Sequence, residues 1–253
     1  MKKLILFALI CGLLASCATT PKGPVYEGEY KDGKPHGHGT MTDPNGTVYV
    51  GQWKDGEYHG EGRWNWRNGR QYVCQFKDSK PHGEGIVTYE NGDKYAGQFK
   101  DGFPNGEGVM TYSNGNKYTG QFKDNSLNGD GTFIYSDGRK YVGQFEYGER
   151  HGDGTEYAPS GKILQKGIWS YGKHIGQYTG QRKDGKPHGQ GTLTFNNGAK
   201  HVGEFKDGHA HGHGTMIWPN GQRYVGQMKN GLPSKGTVYD SSGKVIEEIN
   251  HEK

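Results

Sequence analysis

Histidine is the residue type whose spacing most directly suggests chemistry in this chain. His209, His211 and His213 alternate along one short segment. In an extended strand alternate residues share a face, so three imidazoles could bind one metal ion. No carboxylate is paired with them, so they are weak metal candidates, and we predict no metal site and no cofactor. Six histidines recur at regular spacing just before a Gly-x-Gly, which favours a role in turn structure: His36, His59, His82, His151, His188 and His211.

Serine, lysine, cysteine and glutamate, which act in many catalytic sites, do not lie in catalytic motifs in this chain. No serine lies in a G-x-S-x-G motif, and no Gly-Lys pair lies in the phosphate-binding motif G-x-x-x-x-G-K-[ST]. Cys74 lies between two aromatic residues, and we interpret it as a small buried hydrophobe. Glu27 and Glu29 are expected on a solvated strand face. We therefore predict that the chain is not an enzyme.

The first residues have the pattern of an export signal. Met1-Lys2-Lys3 is basic, the run from Leu4 to Leu14 is apolar, and Ala15-Ser16-Cys17 follows. An apolar run this short does not span a bilayer, which takes about 20 residues. The Leu-Ala-Ser-Cys sequence resembles the bacterial lipobox, whose cysteine carries a lipid. The resemblance implies a signal peptide over 1–16 and a lipidated Cys17 that begins a tether over 17–25.

Lipidation of Cys17 has consequences for the location and the redox state of the chain. The resemblance implies a lipid anchor to a membrane of the bacterial cell envelope. If the source is Gram-negative, alanine at position 18 is similar to the outer-membrane sorting class. The chain has 3 cysteines. With Cys11 removed and Cys17 lipidated, Cys74 has no partner, and we expect no disulfide.

Composition excludes two further classes of protein. The net charge is +4 over 253 residues, which is too weak for a dedicated nucleic-acid binder. Hydrophobic residues make up only 30% of the chain, whereas it has 46 glycines and 12% aromatic residues. A conventional aliphatic core is therefore not expected. Aromatic rings must supply most of the buried area.

The glycines and aromatics follow a repeat of 23 residues. The first tyrosine of each unit marks the period: Tyr26, Tyr49, Tyr72, Tyr95, Tyr118 and Tyr141, then Tyr178, His201 and Tyr224. Each unit reads Y-x-G-x-[FW]-K-D-G-x-x-H-G-x-G-T-φ-x-Ar-x-N-G-x-x, where φ is apolar and Ar is aromatic. This pattern resembles the MORN repeat (membrane occupation and recognition nexus) over residues 26 to about 245.

The alternation within each unit predicts two short strands. Tyr49, Gly51 and Trp53 share one face of a first strand, and Trp64 and Trp66 share a face of a second. Asn-Gly or Asp-Gly then joins the unit to the next, and we expect these pairs to form two-residue hairpin turns. The K-D-G-x-x-H-G turn is expected to be longer. The fold is therefore predicted to be all-β: an elongated, single-layer antiparallel meander of tandem β-hairpin repeats.

One unit is incomplete. Six repeats are predicted over 26–163, a truncated repeat over 164–177, three repeats over 178–245, and a C-terminal cap and tail over 246–253. Because the truncated unit lacks its own second strand, the segment from Tyr178 must occupy a second-strand position. The long turns and the Asn-Gly turns should then exchange edges. We expect the turn at Gly185 on the edge opposite Gly148, beside Asn114-Gly115 and Asp137-Gly138, and a kink of the sheet near 164–178.

The repeats imply binding rather than catalysis. We predict a membrane-anchored scaffold that binds a protein partner in the cell envelope and no nucleic acid. The alternative is binding of a phospholipid headgroup or a cell-wall glycan through the aromatic face. A recurrent lysine, as in Lys100-Asp101, could meet lipid phosphates, but the neighbouring Asp nearly neutralises it. The candidate binding residues are the aromatics that need no burial: Tyr49, Trp53, Trp64, Trp66, Tyr89, Tyr112, Tyr135 and Trp218.

The lipidation of Cys17 is directly testable. Mass spectrometry of protein extracted from membranes should show an N-terminus at Cys17 that carries acyl groups, and Cys17→Ala should leave the precursor uncleaved. A soluble mature form that begins at another residue would contradict the prediction.

Overall fold

Twenty β-strands follow one another along the chain. A computed structural model describes residues 23–251. The strands up to the incomplete unit are β1 (Val25–Lys31), β2 (Lys34–Thr42), β3 (Val48–Lys54), β4 (Glu57–Asn65), β5 (Gln71–Lys77), β6 (Lys80–Thr88), β7 (Lys94–Lys100), β8 (Phe103–Thr111), β9 (Lys117–Lys123), β10 (Ser126–Ile134), β11 (Lys140–Glu146), β12 (Glu149–Tyr157) and β13 (Ile163–Ser170). The remaining strands are β14 (Lys173–Lys183), β15 (Lys186–Phe195), β16 (Lys200–Lys206), β17 (His209–Ile217), β18 (Arg223–Lys229), β19 (Leu232–Tyr239) and β20 (Val245–Asn250).

Each strand pairs antiparallel with its neighbours in chain order, so that β1 and β20 form the two edges of one open sheet. The predicted single-layer antiparallel meander is confirmed. Within residues 23–251 no helix is long and apolar enough to cross a membrane. The predicted signal peptide, Cys17 and most of the tether lie outside the described residues.

The two turn types are the reverse of the expectation. The two-residue hairpin turn is the Asp-Gly of K-D-G: Asp32 and Gly33 have φ of 51° and 75°, and they directly connect β1 with β2. Both residues having positive φ is the requirement of a type I′ turn, whose twist matches that of the flanking strands. The prediction that this turn is the longer one was wrong.

The Asn-Gly pairs lie in five-residue loops instead. In the loop 66–70, the amide of Trp66 donates to the carbonyl of Arg70 at 2.8 Å, and the amide of Gly69 donates to the carbonyl of Trp66 at 3.0 Å. The side chain of Asn68 accepts from the amide of Arg70 at 3.1 Å. Only the glycine of this Asn-Gly pair has a positive φ, 90° at Gly69. Asn therefore acts here through its side-chain oxygen rather than through its backbone conformation.

A row of glycines crosses the sheet beneath a row of tyrosine rings. Gly51 pairs with Gly39 on one side and Gly62 on the other. A Cβ on Gly62 would lie 2.5 Å from the hydroxyl of Tyr49 and 2.8 Å from its ring. The Tyr49 hydroxyl donates to the carbonyl of Gln52 at 2.9 Å. We call this arrangement, a tyrosine ring over a glycine pair with its hydroxyl on the carbonyl three residues later, the tyrosine clamp.

The clamp recurs in most units. The hydroxyls of Tyr95, Tyr118, Tyr141, Tyr178 and Tyr224 donate to the carbonyls of the residues three positions later at 2.6–3.1 Å. Burial raises the pKa of Tyr95, Tyr118 and Tyr141, so these hydroxyls stay protonated donors. The space above the third-position glycine is thus filled by a tyrosine of the same unit.

Edge-to-face ring contacts link one unit to the next. The ring of Tyr95 contacts Phe99 of its own unit at a centroid distance of 5.1 Å and Phe122 of the next at 4.8 Å. Tyr118 contacts Phe122 and Phe145 in the same way, at 5.1 and 5.0 Å. Edge-to-face pairs at these distances are the favoured aromatic geometry. The core is therefore a ladder of alternating tyrosine and phenylalanine or tryptophan rings on one face of the sheet.

The core divides into two clusters at β13. Trp169 is buried in the cluster that begins at Tyr49, whereas Ile168 packs against the cluster of Tyr178 and Tyr224. Adjacent residues of a strand point to opposite faces. The aromatic face therefore changes sides of the sheet here. We call β1–β13 the first block, β14–β20 the second block, and the side of the first block opposite its aromatic ladder the open face.

A one-residue bulge explains the change of side. In a complete unit, Gly51 pairs with Gly62 and Gln52 pairs with His59, so β4 carries two extra residues, 60 and 61. An even number of extra residues does not change which side chains face each side of the sheet. At the incomplete unit, Trp169 pairs with His174 and Ile168 with Gly176. One extra residue reverses which side chains face each side. In β14, Tyr178 therefore lies on the side of the sheet opposite the aromatic ladder of β1–β13.

The predicted order of the turns along the chain agrees with the structure, but the predicted position of the Gly185 turn, on the edge opposite Gly148 and beside Asn114-Gly115 and Asp137-Gly138, was wrong. β14 runs in the same direction as β12. β12 leads into a five-residue loop, 158–162, that has Ser160-Gly161 where other units have Asn-Gly or Asp-Gly, whereas β14 leads into the Asp184-Gly185 turn. This turn does not lie beside the Asn-Gly loops: a Cβ on Gly185 would lie 2.9 Å from Nε2 of Gln144. The sheet bends because β14 pairs with β13 only up to Gly176. The second block therefore covers part of the open face.

An ion pair holds this bend. The guanidinium of Arg182 donates to both carboxylate oxygens of Asp153, with one contact at 3.0 Å. Burial raises the pKa of Asp153, and the Arg182 charge opposes that rise. The pair joins a strand of each block across the intervening β13.

Gly97→Val tests the close approach beneath the tyrosine rings. A Cβ there would lie 2.5 Å from the Cα of Gly108 and from the carbonyl oxygen of Glu107, and backbone cannot yield as a flexible side chain does. We expect destabilisation of about 3 kcal/mol, the upper end of overpacking costs, measured by urea unfolding. Ala96→Val, on the exposed side of the same strand, is the matched control and should change stability by less than about 0.5 kcal/mol. Equal midpoints for the two variants would refute the clamp geometry.

Candidate functional site

Two of the eight candidate binding aromatics lie in the core. Tyr49 and Trp53 are 1% and 4% exposed. The ring of Tyr49 stacks on Tyr58 at 3.7 Å, and Nε1 of Trp53 donates to the carbonyl of Gly39 at 3.2 Å. These rings hold neighbouring units together and have no free face for a partner. For these two residues, the assumption that they need no burial was wrong.

The other candidates lie on or beside the five-residue loops. Trp66, Tyr89, Tyr112 and Tyr135 are the first residues of successive loops, because each of their amides closes the loop. Trp66 is 37% exposed, and the tyrosines are half-buried. They form a row along one edge of the first block, which we call the loop-edge aromatics. Whether they bind a partner stays a prediction.

Two further candidates are set apart from this row. Trp64 is half-buried, contacts Trp66 at 5.2 Å, and its ring nitrogen is buried without a hydrogen bond. Trp218 begins a loop of the second block. Since the two blocks differ in which side is aromatic, Trp218 does not continue the row that Trp66 begins.

Arginines stack on the loop-edge aromatics. The guanidinium of Arg70 lies 5.6 Å from the ring centre of Trp66 and 5.3 Å from that of Tyr89, and Arg139 lies 5.0 Å from Tyr135. Cation–π contacts of this kind occupy ring faces that a sugar would otherwise stack on. The geometry therefore favours a structural edge over an open aromatic platform.

The open face of the first block carries an apolar row that sequence reasoning missed. Nine residues pair in register across β3–β11, of which Val50, Val73, Ile86, Ala96, Val109 and Val142 are apolar and Arg63, Thr119 and Thr132 are polar. Val50, Val73 and Ile86 are 46%, 41% and 48% exposed. We call the six apolar residues of this register the aliphatic row. Its signal was the recurrence of a β-branched residue directly after the first tyrosine of the unit, as in Tyr72-Val73.

A row of carboxylates lies beside the aliphatic row. Glu61, Glu84, Glu107 and Asp130 recur once per unit on the same face, and each pairs with a glutamine of the next strand, for example Glu84 with Gln98. All four are exposed. Two strands per unit space these acidic groups about 9.6 Å apart. The open face is therefore apolar along its middle and acidic on one side.

The histidines are not brought together. His209 and His213 are exposed, and His213 contacts the side-chain nitrogen of Gln227 at 2.8 Å. Gly212, with φ of 70°, forms the bulge between them and interrupts the extended backbone that a shared face requires. Within the described part of the chain, no group of three His, Cys, Asp or Glu residues could hold a metal ion.

The recurrent histidines instead lie against acidic groups of turns. His36 lies 3.6 Å from the carboxylate of Asp55 in the next hairpin turn, and His188 lies 3.8 Å from Asp207. This placement agrees with a role in turn structure.

Cys74 is buried, as predicted, and interrupts the glycine row. Burial raises the pKa of its thiol to about 12, so it is protonated and unreactive at neutral pH. Its extra atoms change the neighbouring clamp: the Tyr72 hydroxyl accepts from Arg70 rather than donating to a backbone carbonyl.

The recurrent lysines do not form one row. The exchange of turn positions at β14 separates Lys31, Lys54, Lys77, Lys100 and Lys123 from Lys183, Lys206 and Lys229.

Comparison with known proteins supports the repeat assignment and little else. No curated protein matches the chain. Among solved structures, the TCP10 domain of Danio rerio CPAP, in complex with a peptide of Danio rerio STIL, is 14% identical with a TM-score of 0.30 over 90% of this chain and 99% of that chain. The Drosophila melanogaster SAS-4 TCP domain, in complex with a proline-rich motif of Ana2, is 11% identical with a TM-score of 0.35 over 76% and 85%. Neither likeness is close enough to bear on function.

The family model of the MORN repeat matches eight times. The matches cover residues 26–48, 49–69, 72–94, 95–117, 118–138, 141–163, 178–200 and 201–223. They omit 164–177, where the incomplete unit lies, and 224–245, where β18 and β19 form one more hairpin of the same kind. Since the matches cover more than half of the chain, this chain belongs to the MORN-repeat family.

Proposed function

We propose that this protein is a non-enzymatic, membrane-anchored lipoprotein of the bacterial cell envelope that acts as an extended protein-interaction scaffold. MORN repeats suggest a role in protein or membrane interaction. The anchor and the location rest on the lipobox-like sequence that ends at Cys17. The observation that carries the choice of a protein partner is the exposed aliphatic row on the open face.

The aliphatic row has the properties of a contact surface. Apolar residues scattered singly over a surface need no explanation, but a contiguous row often marks an interaction site. Here Val73 and Ile86 are direct neighbours, and Ala96 and Val109 follow in register. No second layer of the described chain covers this part of the sheet. A partner that supplies apolar side chains would bury the row.

The acidic row defines the chemistry of that partner. Glu61, Glu84 and Glu107 repeat along one side of the aliphatic row. A partner with apolar side chains flanked by basic ones, at the same repeat distance of about 9.6 Å, would match both rows. Electrostatic complementarity of this kind contributes mainly to specificity and association rate.

The alternative, binding of a phospholipid headgroup or a glycan through the aromatic face, has less support. Tyr95 and Tyr118 are fully buried. The more exposed loop-edge aromatics already have arginine on their rings, as Arg70 does on Trp66. Rings packed against one another leave little face for a sugar.

A charge-insertion experiment tests the scaffold. The full-length protein, extracted from envelope membranes, would be compared with the double variant Val73→Glu/Ile86→Glu by affinity capture and identification of the retained proteins. Phe103→Glu is the matched control, because Phe103 is 55% exposed but lies beside a hairpin turn. We expect the double variant to retain at least tenfold less of a specific partner protein than the control variant does.

Two outcomes would contradict the proposal. One is equal retention by the double variant and by Phe103→Glu. The other is flotation of the protein with anionic vesicles that Trp66→Ala abolishes, without any retained protein, which would favour the lipid alternative.

A further inference from the structure

The bend between the two blocks separates part of β13 from β14. Residues 163–167 of β13 pair with β12, whereas β14 pairs with β13 only over residues 168–170. In a complete unit the residues that correspond to 164–167 are 48–51 of β3, which pair with β2 on one side and with residues 62–65 of β4 on the other. Among the strands of residues 23–251, none takes the place of that β4 segment beside residues 163–166. We call residues 163–166 the free edge.

The side chains of the free edge are accessible. Ile163 and Leu164 are 53% and 49% exposed, and Gln165 and Lys166 are exposed as well. Beyond this edge β14 stands apart from β13, since Lys166 and Gln177 of β14 line the same cleft of about 470 Å³. Another chain can therefore approach the edge.

The backbone of Lys166 is directed toward the side that lacks a strand. Nε2 of His174 in β14 donates a hydrogen bond to the carbonyl of Lys166 at 3.2 Å. In an antiparallel sheet, alternate residues direct both backbone groups to the same neighbour. Gln165 therefore bonds to β12, whereas Lys166 offers its backbone to the free side. A strand that adds here displaces the imidazole and supplies the same hydrogen bond from its own amide.

The free edge also differs in charge from the two ends of the sheet. Charged side chains on an edge strand discourage pairing with another chain. Each terminal edge strand carries two glutamates: Glu27 and Glu29 in β1, Glu247 and Glu248 in β20. The free edge has no carboxylate, and its apolar residues Ile163 and Leu164 lie between Lys162 and Lys166. A strand that is apolar in its middle and acidic toward both ends would match this pattern.

We propose that the free edge binds an extended segment of a partner protein by β-strand addition, in place of the second strand that the incomplete unit lacks. The segment runs antiparallel to β13, with glycine opposite Gly167, an acidic residue opposite Lys166 and an apolar residue opposite Gln165. An aromatic residue follows beside Ile163. Glycine, apolar and aromatic residues recur in this order in the second strands of the complete units, so the segment continues the repeat.

This inference goes beyond the scaffold proposal and does not depend on the aliphatic row. Backbone hydrogen bonds supply affinity in strand addition, and alternate side chains supply specificity. A second copy of this chain is a poorer occupant, because its terminal strand β20 has Ile246 rather than glycine before Glu247. The space opposite Gly167 is narrow: a Cβ on Gly167 would lie 2.0 Å from the carbonyl oxygen of Gly176.

A synthetic peptide tests strand addition directly. The probe is Gly-Glu-Val-Thr-Tyr-Glu with blocked ends and a fluorescent label at its C-terminus, titrated with the full chain and followed by fluorescence anisotropy. We expect saturable binding with a dissociation constant below about 1 mM. The same peptide with lysine in place of both glutamates should bind at least tenfold more weakly, because it meets Lys162 and Lys166 with like charge.

N-methylated peptides separate strand addition from other modes of binding. A methyl group on the amide of the first glutamate, which faces Lys166, should abolish binding. A methyl group on the valine amide, which faces away from β13, should leave binding unchanged. Leu164 bulges from the register with β12, and both amides lie outside that bulge. Equal effects of the two methyl groups, or no saturation by the unmodified peptide, overturns the proposal.

Lys166→Glu is the decisive variant, and it is expected to fold because Lys166 is exposed. It should weaken binding of the glutamate peptide at least tenfold and bind the lysine peptide instead, which also shows that the variant is folded. Lys117→Glu, the same change on β9, whose two sides are paired, is the matched control and should bind like the wild type. Unaltered binding of both peptides by Lys166→Glu would refute the site.

Two further measurements separate this proposal from its neighbours. Val73→Glu/Ile86→Glu should bind the glutamate peptide like the wild type, so a failure of the scaffold proposal leaves this site intact. Sedimentation velocity tests a second copy as the occupant. Self-association of the full chain that both Lys166→Glu and Ile246→Lys abolish would show that β20 of another copy covers the free edge, and it would overturn the proposal of a partner protein.

Discussion

The structure depends on the close approach of paired glycines beneath a tyrosine ring. A Cβ on Gly62 would lie 2.5 Å from the hydroxyl of Tyr49, so the ring can lie along the strand only where side chains are absent. That position lets the hydroxyl reach a backbone carbonyl and turns the ring edge toward its neighbours. The contacts Tyr49–Phe76 and Tyr118–Phe145, at 5.1 and 5.0 Å, then connect units across the sheet. One constraint therefore explains both the glycine content and the missing aliphatic core.

A sheet whose rings all pack on one side has a second, open side that can bind a partner without a dedicated pocket. Because the ladder occupies one side, most of the opposite side is left without a covering layer within residues 23–251, and Val50, Val73 and Ile86 are exposed. Repetition makes that side periodic in both apolar and acidic groups. In repeat proteins each unit contacts mainly its neighbours, so such surfaces lengthen with the number of units. The bend at Gly176 limits this surface, since the second block covers part of it, and leaves the free edge of β13 exposed.

Much of the fold could be predicted from the sequence, since the 23-residue period and the alternation of Tyr49, Gly51 and Trp53 predict the strand pattern directly. The reversal of direction after Tyr178 followed from counting strands. The turn types did not follow, because Asn-Gly and Asp-Gly have similar preferences. The deciding factor is the register of the flanking strands, which places Asp32-Gly33 between directly paired residues.

The surfaces were harder to predict than the fold. Trp53 is buried because it packs in the ring ladder against Tyr49, whereas Trp66 is more exposed because it begins a loop, and the two residues are equally aromatic in sequence. Prediction of the free edge required knowledge of a single bulged residue at the bend, because its one-residue shift turns Ile168 toward the second cluster. No local sequence signal at Ile168 indicates that contact.

Amide hydrogen exchange resolved by strand would test the central role of the tyrosine clamp most directly, since the chain contains its own exceptions. The hydroxyl of Tyr95 and that of Tyr118 make the clamp, whereas Tyr72 beside Cys74 and the imidazole of His201 do not. We predict the slowest exchange in β7–β10 and faster exchange in β5 and β16, although all these strands have two neighbours. Equal protection of β5, β7 and β16, or the greatest protection in β16, would contradict it.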